Sequence, residues 1–193
     1  MLRFIGIYNY TVILTYGSLL SAVIGTTLCA KGKFTAAVIC LILSGICDAF
    51  DGTVARSKKD RTEDEKAFGI QIDSLCDLVS FGVFPAMLCY HLGADGFLGI
   101  ACSCTYILCA VIRLAFFNVL EAKRQSVEGG CNKTYRGLPV TCASFIFPIY
   151  YGFRFILTEA LFIAGLHILL AMTAFLFVLD FSVKKICMDS LFK

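Results

Sequence analysis

The sequence predicts an all-α membrane protein, a polytopic bundle of six transmembrane helices that forms one domain over residues 1–193. The 193 residues are 59% hydrophobic, with a mean hydropathy of +0.82, which is too apolar for most soluble domains of this size. The apolar residues fall into runs of about 20, the length that crosses a bilayer. Because a backbone in lipid must satisfy its own hydrogen bonds, these runs are predicted to be helices.

Six apolar segments account for the predicted helices. The first has no charged residue between Arg3 and Lys31, and it is too long for the apolar region of a signal peptide. In the second segment only residues 34–47 precede Asp48, so the helix must continue past that carboxylate to reach membrane length. The third segment must likewise begin before its carboxylates. The predicted spans are residues 8–30, 34–55, 69–94, 97–119, 138–157 and 160–182.

The distribution of positive charge predicts the orientation. With six spans, 13 of the 17 Lys and Arg residues lie on the side that carries both termini and the loop between the second and third spans. Three others, Lys31, Lys33 and Arg154, lie on the opposite side. Loops rich in Lys and Arg stay in the cytoplasm. We therefore expect cytoplasmic termini in the inner or plasma membrane of the cell.

Other bulk features carry little functional information. A net charge of +3 is too small to indicate a nucleic-acid partner. The 11 cysteines are scattered without a CxxC pair, which favours small apolar residues at helix contacts over metal ligands or disulfides. His91 and His167 are isolated and are interpreted as structural. The segment Ser57–Lys66 balances four basic with four acidic residues, a pattern typical of a solvated turn or helix extension.

Four carboxylates interrupt the membrane-like sequence where the second predicted helix ends and the third begins. At about 100° per residue, the polar and small residues of each helix fall on one face, within about 140° on the second helix and about 80° on the third. Since the connecting loop is short, the two faces can meet at one membrane depth. The residues concerned are Asp48, Asp51, Gly52, Ala55 and Arg56 on the second helix, and Gly69, Asp73 and Asp77 on the third.

The chemistry of these residues indicates a metal-dependent site. Carboxylates at membrane depth are costly, and four together repel one another unless they bind a cation or become protonated. Oxygen ligands suit Mg²⁺ or Mn²⁺, with Ca²⁺ as an alternative. Arg56 is a bidentate partner for phosphate, so a pyrophosphate substrate at the cytoplasmic face is predicted. The alternative is an ionic network with Arg56, Lys58 and Lys59, which explains one carboxylate pair more easily than two.

The motif itself resembles that of a known family. The sequence reads Asp48-Ala-Phe-Asp51-Gly52-Thr-Val-Ala55-Arg56 and then Gly69-Ile-Gln-Ile-Asp73-Ser-Leu-Cys-Asp77, and it matches every fixed position of the CDP-alcohol phosphatidyltransferase family. The twelve-residue spacer is four residues longer than that of the family, so an extended or irregular link is expected. Three flanking segments are similar to the phosphatidylserine synthase branch, namely residues 68–86, 113–118 and 136–139.

The resemblance implies an enzyme of phospholipid biosynthesis. It would join CDP-diacylglycerol to L-serine, release CMP, bind membrane lipid and form a homodimer. Asp48, Asp51 and Asp73 would hold the metal, and Asp77 would be the catalytic base and a further metal contact. The resemblance also implies that Gly52, Ala55, Arg56 and Gly69 line the nucleotide and pyrophosphate site, and that Arg113, Asn118 and Arg136 are candidates for contact with lipid phosphate or serine.

Three alternatives stay open at this point. The acceptor could instead be glycerol 3-phosphate, inositol or an inositol phosphate, although a phosphorylated acceptor should need more basic residues beside the site. Arg136 could equally be a cytoplasmic anchor. A cation channel or transporter would need polar residues that continue towards the outer face, and the outer halves of the predicted spans are apolar.

Overall fold

The structure is a computed structural model that describes residues 6–7, 10–58, 60, 62–127 and 134–184, with side chains except at 56–57, 123–127, 134–136 and 182–184. The described residues form an all-α bundle, which confirms the predicted fold class. Its helices are α1 (Ile13–Ala30), α2 (Phe34–Ser57), α3 (Glu63–Asp77), α4 (Phe84–His91), α5 (Phe97–Val127), α6 (Ala143–Gly152) and α7 (Glu159–Val178). Two three-residue strands, β1 (Thr134–Arg136) and β2 (Ser182–Lys184), pair antiparallel.

Five helical stretches of the described chain are long and apolar enough to cross a membrane. They are Tyr10–Ala30, Phe34–Ala55, Glu63–His91, Phe97–Ala122 and Glu159–Val178. They correspond to the first four predicted spans and the sixth. The fifth predicted span, 138–157, forms the shorter α6 between two 3₁₀ turns, Val140–Cys142 and Phe153–Phe155. The count of six spans and the side on which the termini lie therefore stay predictions.

Several predicted helix ends differ from the structure. α5 continues to Val127, past the predicted end at residue 119. The predicted end of the sixth span at residue 182 was wrong, because α7 ends at Val178 and the backbone of Leu179 is extended. The sequence stays apolar through Leu179, and the charged Asp180 then lies two residues past the end of α7. The chain leaves the helix to pair β2 with β1, a contact between residues distant in sequence.

The link between α2 and α3 is short. α3 begins at Glu63 because Thr62 forms a capping box with Glu65: each backbone N–H donates to the side-chain oxygen of the other residue, both at 3.1 Å. The Lys58 ammonium lies 2.6 Å from the Glu65 carboxylate. The backbone is extended at Lys58 and at Thr62. The second half of the twelve-residue spacer thus belongs to α3, and the first half contains the link.

A π-helical segment, Leu78–Val83, directly follows Asp77 and was not predicted. Pro85 lies just beyond it and has no N–H, so it cannot donate the usual helical hydrogen bond to the carbonyl of Phe81. The hydroxyl of Tyr106 on α5 donates to that carbonyl at 2.6 Å, and both residues are fully buried. A neighbouring helix therefore supplies a hydrogen bond that Pro85 cannot make.

Removal of this hydroxyl should destabilise the bundle. In Tyr106→Phe the buried carbonyl of Phe81 loses that donor, which should cost about 1–3 kcal/mol. The expected result is a lower thermal unfolding midpoint of the detergent-solubilised protein. Tyr90→Phe is the matched control, because Tyr90 is 37% exposed and its ring packs against His91. Equal losses in the two variants would contradict the role given to Tyr106.

Hydrogen bonds between buried serines connect α1, α2 and the π-helical segment, about one helical turn from the aspartates. The Ser18 hydroxyl on α1 lies 2.7 Å from that of Ser44 on α2 and donates to that of Ser80 in the π-helical segment at 3.3 Å. All three serines are buried. Ser44 precedes Asp48 by one helical turn, and Ser80 follows Asp77 by about one turn. These hydrogen bonds therefore fix the relative positions of the segments that carry the carboxylates.

Candidate functional site

The four aspartates of α2 and α3 line one cavity of about 280 Å³. Asp48 and Asp77 lie within hydrogen-bonding reach of each other, and so do Asp51 and Asp73. This pairing order is the one that two antiparallel helices produce when their side chains meet across a cavity. One carboxylate oxygen from each of Asp48, Asp73 and Asp77 lies within 4.8 Å of the other two. The structure thus brings together the carboxylates of both predicted faces.

This donor set fits a divalent cation. Hard cations bind carboxylate oxygens at about 2.0–2.6 Å, so oxygens less than about 5 Å apart can bind one ion from opposite sides. Asp77 is 8% exposed, and carboxylates that meet in such an environment repel one another unless a cation or a proton lies between them. An all-oxygen set suits Mg²⁺, Mn²⁺ or Ca²⁺. Asp48, Asp73 and Asp77 could therefore bind a single ion, with Asp51 beside them.

Helix α1 also contributes to the site, which sequence reasoning missed. The hydroxyl of Thr15 donates to Oδ2 of Asp51 at 3.1 Å, and Thr15 is buried. This bond orients one carboxylate of the cluster. A signal was present in the sequence: Thr15 and Ser18 are three residues apart and so share one face of a helix that has no charged residue.

Arg113 is a buried cation in the same cavity. It projects from α5 and is 7% exposed. Its Nε donates to the carbonyl of Leu138 at 3.3 Å, and its guanidinium carbon lies 5.9 Å from the centre of the Phe117 ring. The family resemblance implied that Arg113 is a candidate for contact with lipid phosphate or serine. The structure places it beside the aspartates with one of its donors fixed by the backbone.

The turn that holds Arg113 requires glycine. Gly137 has a φ of +76°, and a Cβ there would lie 3.1 Å from the carbonyl oxygen of Leu179. Its N–H donates to the carbonyl of Phe181 at 2.7 Å, and the N–H of Leu138 donates to that of Leu176 at 3.3 Å. The end of α7 and the segment after it therefore support the turn whose carbonyl binds Arg113.

The other predicted residues are not among those that line this cavity, or their side chains lie outside the described part. Asn118 accepts a hydrogen bond from Ser74 at 2.7 Å and approaches Gln71 at 3.5 Å, so it joins α5 to α3. Neither Asn118 nor Gly52, Ala55 or Gly69 is among the residues that line the cavity. The side chains of Arg56 and Arg136 lie outside the described part. The remaining lining residues, which the sequence did not single out for this site, are Leu114, Phe117, Pro139, Val140 and Thr141.

Comparison with known proteins agrees with this geometry. A family model described as CDP-alcohol phosphatidyltransferase matches residues 8–181. The chain belongs to the CDP-alcohol phosphatidyltransferase family. The resemblance seen in the aspartate motif is thereby confirmed, and membership in this family together with the five long apolar helices indicates an integral membrane protein.

Several relatives in this family carry related names. The archaetidylserine synthase of Methanothermobacter thermautotrophicus is 33% identical over 153 residues, which are 78% of this chain and 61% of the relative. The CDP-diacylglycerol–serine O-phosphatidyltransferase of Bacillus subtilis is 36% identical over 109 residues, 55% of each chain. The protein of the same name from Saccharomyces cerevisiae is 35% identical over 116 residues, 59% of this chain and 41% of the relative. The matched region thus spans about 40–60% of the length of these relatives.

Proposed function

We propose that this family member is an enzyme that transfers the phosphatidyl group of CDP-diacylglycerol to the hydroxyl of L-serine, giving phosphatidylserine and CMP. The observation that carries the proposal is one cavity that combines four aspartates with a buried arginine. The names of the relatives support serine as the acceptor. The active site would face the cytoplasm, as the charge count predicts for the loop between α2 and α3. Residues 1–193 would form one domain, and the homodimer implied by the family resemblance stays a prediction.

The aspartates would bind the pyrophosphate of the nucleotide lipid through a divalent cation. Asp48, Asp51 and Asp73 would hold Mg²⁺ or Mn²⁺, and Asp77 is close enough to contact it as well. When bound, the cation neutralises phosphate charge and stabilises the negative charge that develops on the leaving CMP. The hydrogen bond from Thr15 keeps Asp51 oriented towards this site. Gly52, Ala55, Arg56 and Gly69 would contact the nucleotide on the same faces of α2 and α3.

Asp77 would act as the general base. The serine hydroxyl oxygen attacks the phosphorus that bears diacylglycerol, a new oxygen–phosphorus bond forms, and the bond from that phosphorus to CMP breaks. The hydroxyl proton moves to the carboxylate of Asp77. An alcohol is a far weaker acid than a carboxylic acid, so this proton moves late, when the oxygen has already lost charge to phosphorus. The burial of Asp77 keeps bulk water away from the transferred proton.

Arg113 would bind an anionic group of one substrate. Its guanidinium can bind two oxygens of the serine carboxylate or of the lipid phosphate. The hydrogen bond to Leu138 restricts its position before substrate arrives, which lowers the entropy lost on binding. Arg113 is the one basic residue among the described residues that line the cavity. This single positive charge favours serine over an acceptor that carries its own phosphate, such as glycerol 3-phosphate.

An acceptor panel tests the proposal. Purified protein is given CDP-diacylglycerol, Mg²⁺ or Mn²⁺, and either L-serine, glycerol 3-phosphate, inositol or inositol phosphate, and CMP release is followed. We expect release that depends on L-serine. CMP release with glycerol 3-phosphate or either inositol compound, but not with serine, would show that the acceptor is not serine. The proposed transfer of the phosphatidyl group would then still stand. The absence of CMP release with every acceptor would contradict the proposed activity.

A further inference from the structure

A second cavity lies at the other end of the bundle. It has a volume of about 510 Å³ and forms where the turn between α1 and α2 meets the end of α6. Fourteen residues of α2 separate Phe34 from Asp48, which is about 21 Å along the helix at 1.5 Å per residue. The cavity is therefore distinct from the aspartate cavity and lies towards the opposite membrane surface. The side chains that line it include those of Lys33, Phe34, Thr35, Tyr151, Arg154 and Phe155.

Two cations, Lys33 and Arg154, line this cavity. Within the described part of the chain, neither Lys33 nor Arg154 takes part in an ion pair. The guanidinium carbon of Arg154 lies 5.1 Å from the centre of the Phe34 ring, a cation–π contact that holds the charge at the cavity. Two uncompensated positive charges at one cavity indicate an anionic ligand.

Hydrogen-bond donors accompany the two cations. The hydroxyls of Thr35 and Tyr151 lie 3.0 Å apart and share one hydrogen bond, so one of their two protons remains available to a ligand. The first turn of α2 also lines the cavity, and no side chain caps it. Its backbone N–H groups add to the positive potential. These donors match the oxygens of a phosphate group.

Exposed apolar residues surround Arg154. Phe153 is 45% exposed, and Phe155 and Ile156 are each 78% exposed. A soluble anion would make no use of these side chains, whereas the acyl chains of a lipid would cover them. We propose that the cavity lined by Lys33, Thr35, Tyr151 and Arg154 binds the phosphate-bearing headgroup of an anionic phospholipid from the membrane leaflet opposite the aspartate cavity. This site is independent of the proposed transfer reaction.

Lipid-dependent stabilisation tests this site. The thermal unfolding midpoint of the purified protein is measured in neutral detergent with added phosphatidylglycerol, phosphatidylcholine or inorganic phosphate. We expect phosphatidylglycerol to raise the midpoint more than phosphatidylcholine does. This difference should fall by about half in Lys33→Gln and in Arg154→Gln, because each removes one of two charges, and should vanish in the double variant. Lys31→Gln is the matched control, since it removes the same charge from the same turn and Lys31 does not line the cavity.

Native mass spectrometry of the same variants gives a second readout, in which the double variant should retain fewer phosphatidylglycerol molecules than the wild type. This readout does not depend on the unfolding midpoint, so it can be used even if a variant is less stable in the absence of lipid. An unchanged difference and unchanged lipid retention in the double variant would overturn the site. The site would also be overturned if Lys31→Gln reduced the difference between the two lipids as much as Lys33→Gln does. The lipid would then respond to the general positive charge of this turn and not to the cavity. If inorganic phosphate raised the unfolding midpoint as much as phosphatidylglycerol does, the cavity would bind a soluble anion and the lipid proposal would be overturned.

Discussion

Asp77→Asn should abolish turnover while leaving nucleotide binding largely intact. Asparagine has nearly the same shape as aspartate and cannot accept the serine proton, so the rate should fall by about 10²–10⁴. Asp48, Asp51 and Asp73 remain to hold the cation and the pyrophosphate, so affinity for the nucleotide should change little. The two readouts are the rate of CMP release and the binding of CDP measured by calorimetry in the presence of Mg²⁺ or Mn²⁺.

Asp95→Asn is the matched control for this substitution. Asp95 is exposed in the turn between α4 and α5 and does not line the aspartate cavity, so both turnover and CDP binding should stay at the wild-type level. The geometry also allows Asp77 to contact the cation. If Asp77→Asn weakened nucleotide binding as much as turnover, Asp77 would be chiefly a metal ligand and the base would have to be another group.

Removal of divalent cations should also abolish turnover. After treatment with a chelator, the aspartates and the pyrophosphate repel one another because no cation lies between them, and added Mg²⁺ or Mn²⁺ should restore the rate. Asp48→Asn and Asp73→Asn should each raise the cation concentration for half-maximal activity by about tenfold or more, because each loses a charged ligand and tenfold corresponds to about 1.4 kcal/mol. The measurement is CMP release as a function of free cation concentration.

Asp60→Asn is the control for this titration. Asp60 is an exposed carboxylate of the link between α2 and α3 and lies outside the aspartate cavity. Its removal lowers the negative charge of the same region, so it separates a loss of general electrostatic attraction from the loss of a ligand. Full activity after chelation, or a cation dependence shifted equally by Asp60→Asn and Asp48→Asn, would contradict the metal site.

The aspartate cluster could be anticipated from local rules. Helical periodicity put Asp48 and Asp51 on one face of α2, and Asp73 and Asp77 on one face of α3. The short link then kept the carboxylate-bearing ends of these helices close, so that the two faces could meet across the cavity. Hydropathy likewise located the helices, since lipid requires long apolar segments with internally satisfied hydrogen bonds. These inferences depend on residues close in sequence or on the membrane itself.

The parts that escaped prediction depend on distant partners. The π-helical segment and the hydrogen bond of Tyr106 to Phe81 become visible only when α5 packs beside α4. Thr15 reaches Asp51 only because α1 packs along α2. The early end of α7 follows from the pairing of β2 with β1 and from the hydrogen bond of Gly137 with Phe181. Asp180 is a local signal two residues past that end, and the predicted span extended beyond it.

The most direct test of the proposed reaction follows the serine oxygen. Wild-type protein is incubated with CDP-diacylglycerol, the divalent cation and L-serine labelled with ¹⁸O in its hydroxyl group, and the products are examined by mass spectrometry. We predict labelled phosphatidylserine that keeps the ¹⁸O in its phosphodiester, together with an equal amount of unlabelled CMP. Attack on the other phosphorus would instead give a labelled ester of serine with CMP, together with phosphatidate, and cleavage of the serine C–O bond would give phosphatidylserine without the label. Either product would contradict attack of the serine hydroxyl on the phosphorus that bears diacylglycerol, and CMP formed without a serine lipid would contradict the transfer itself.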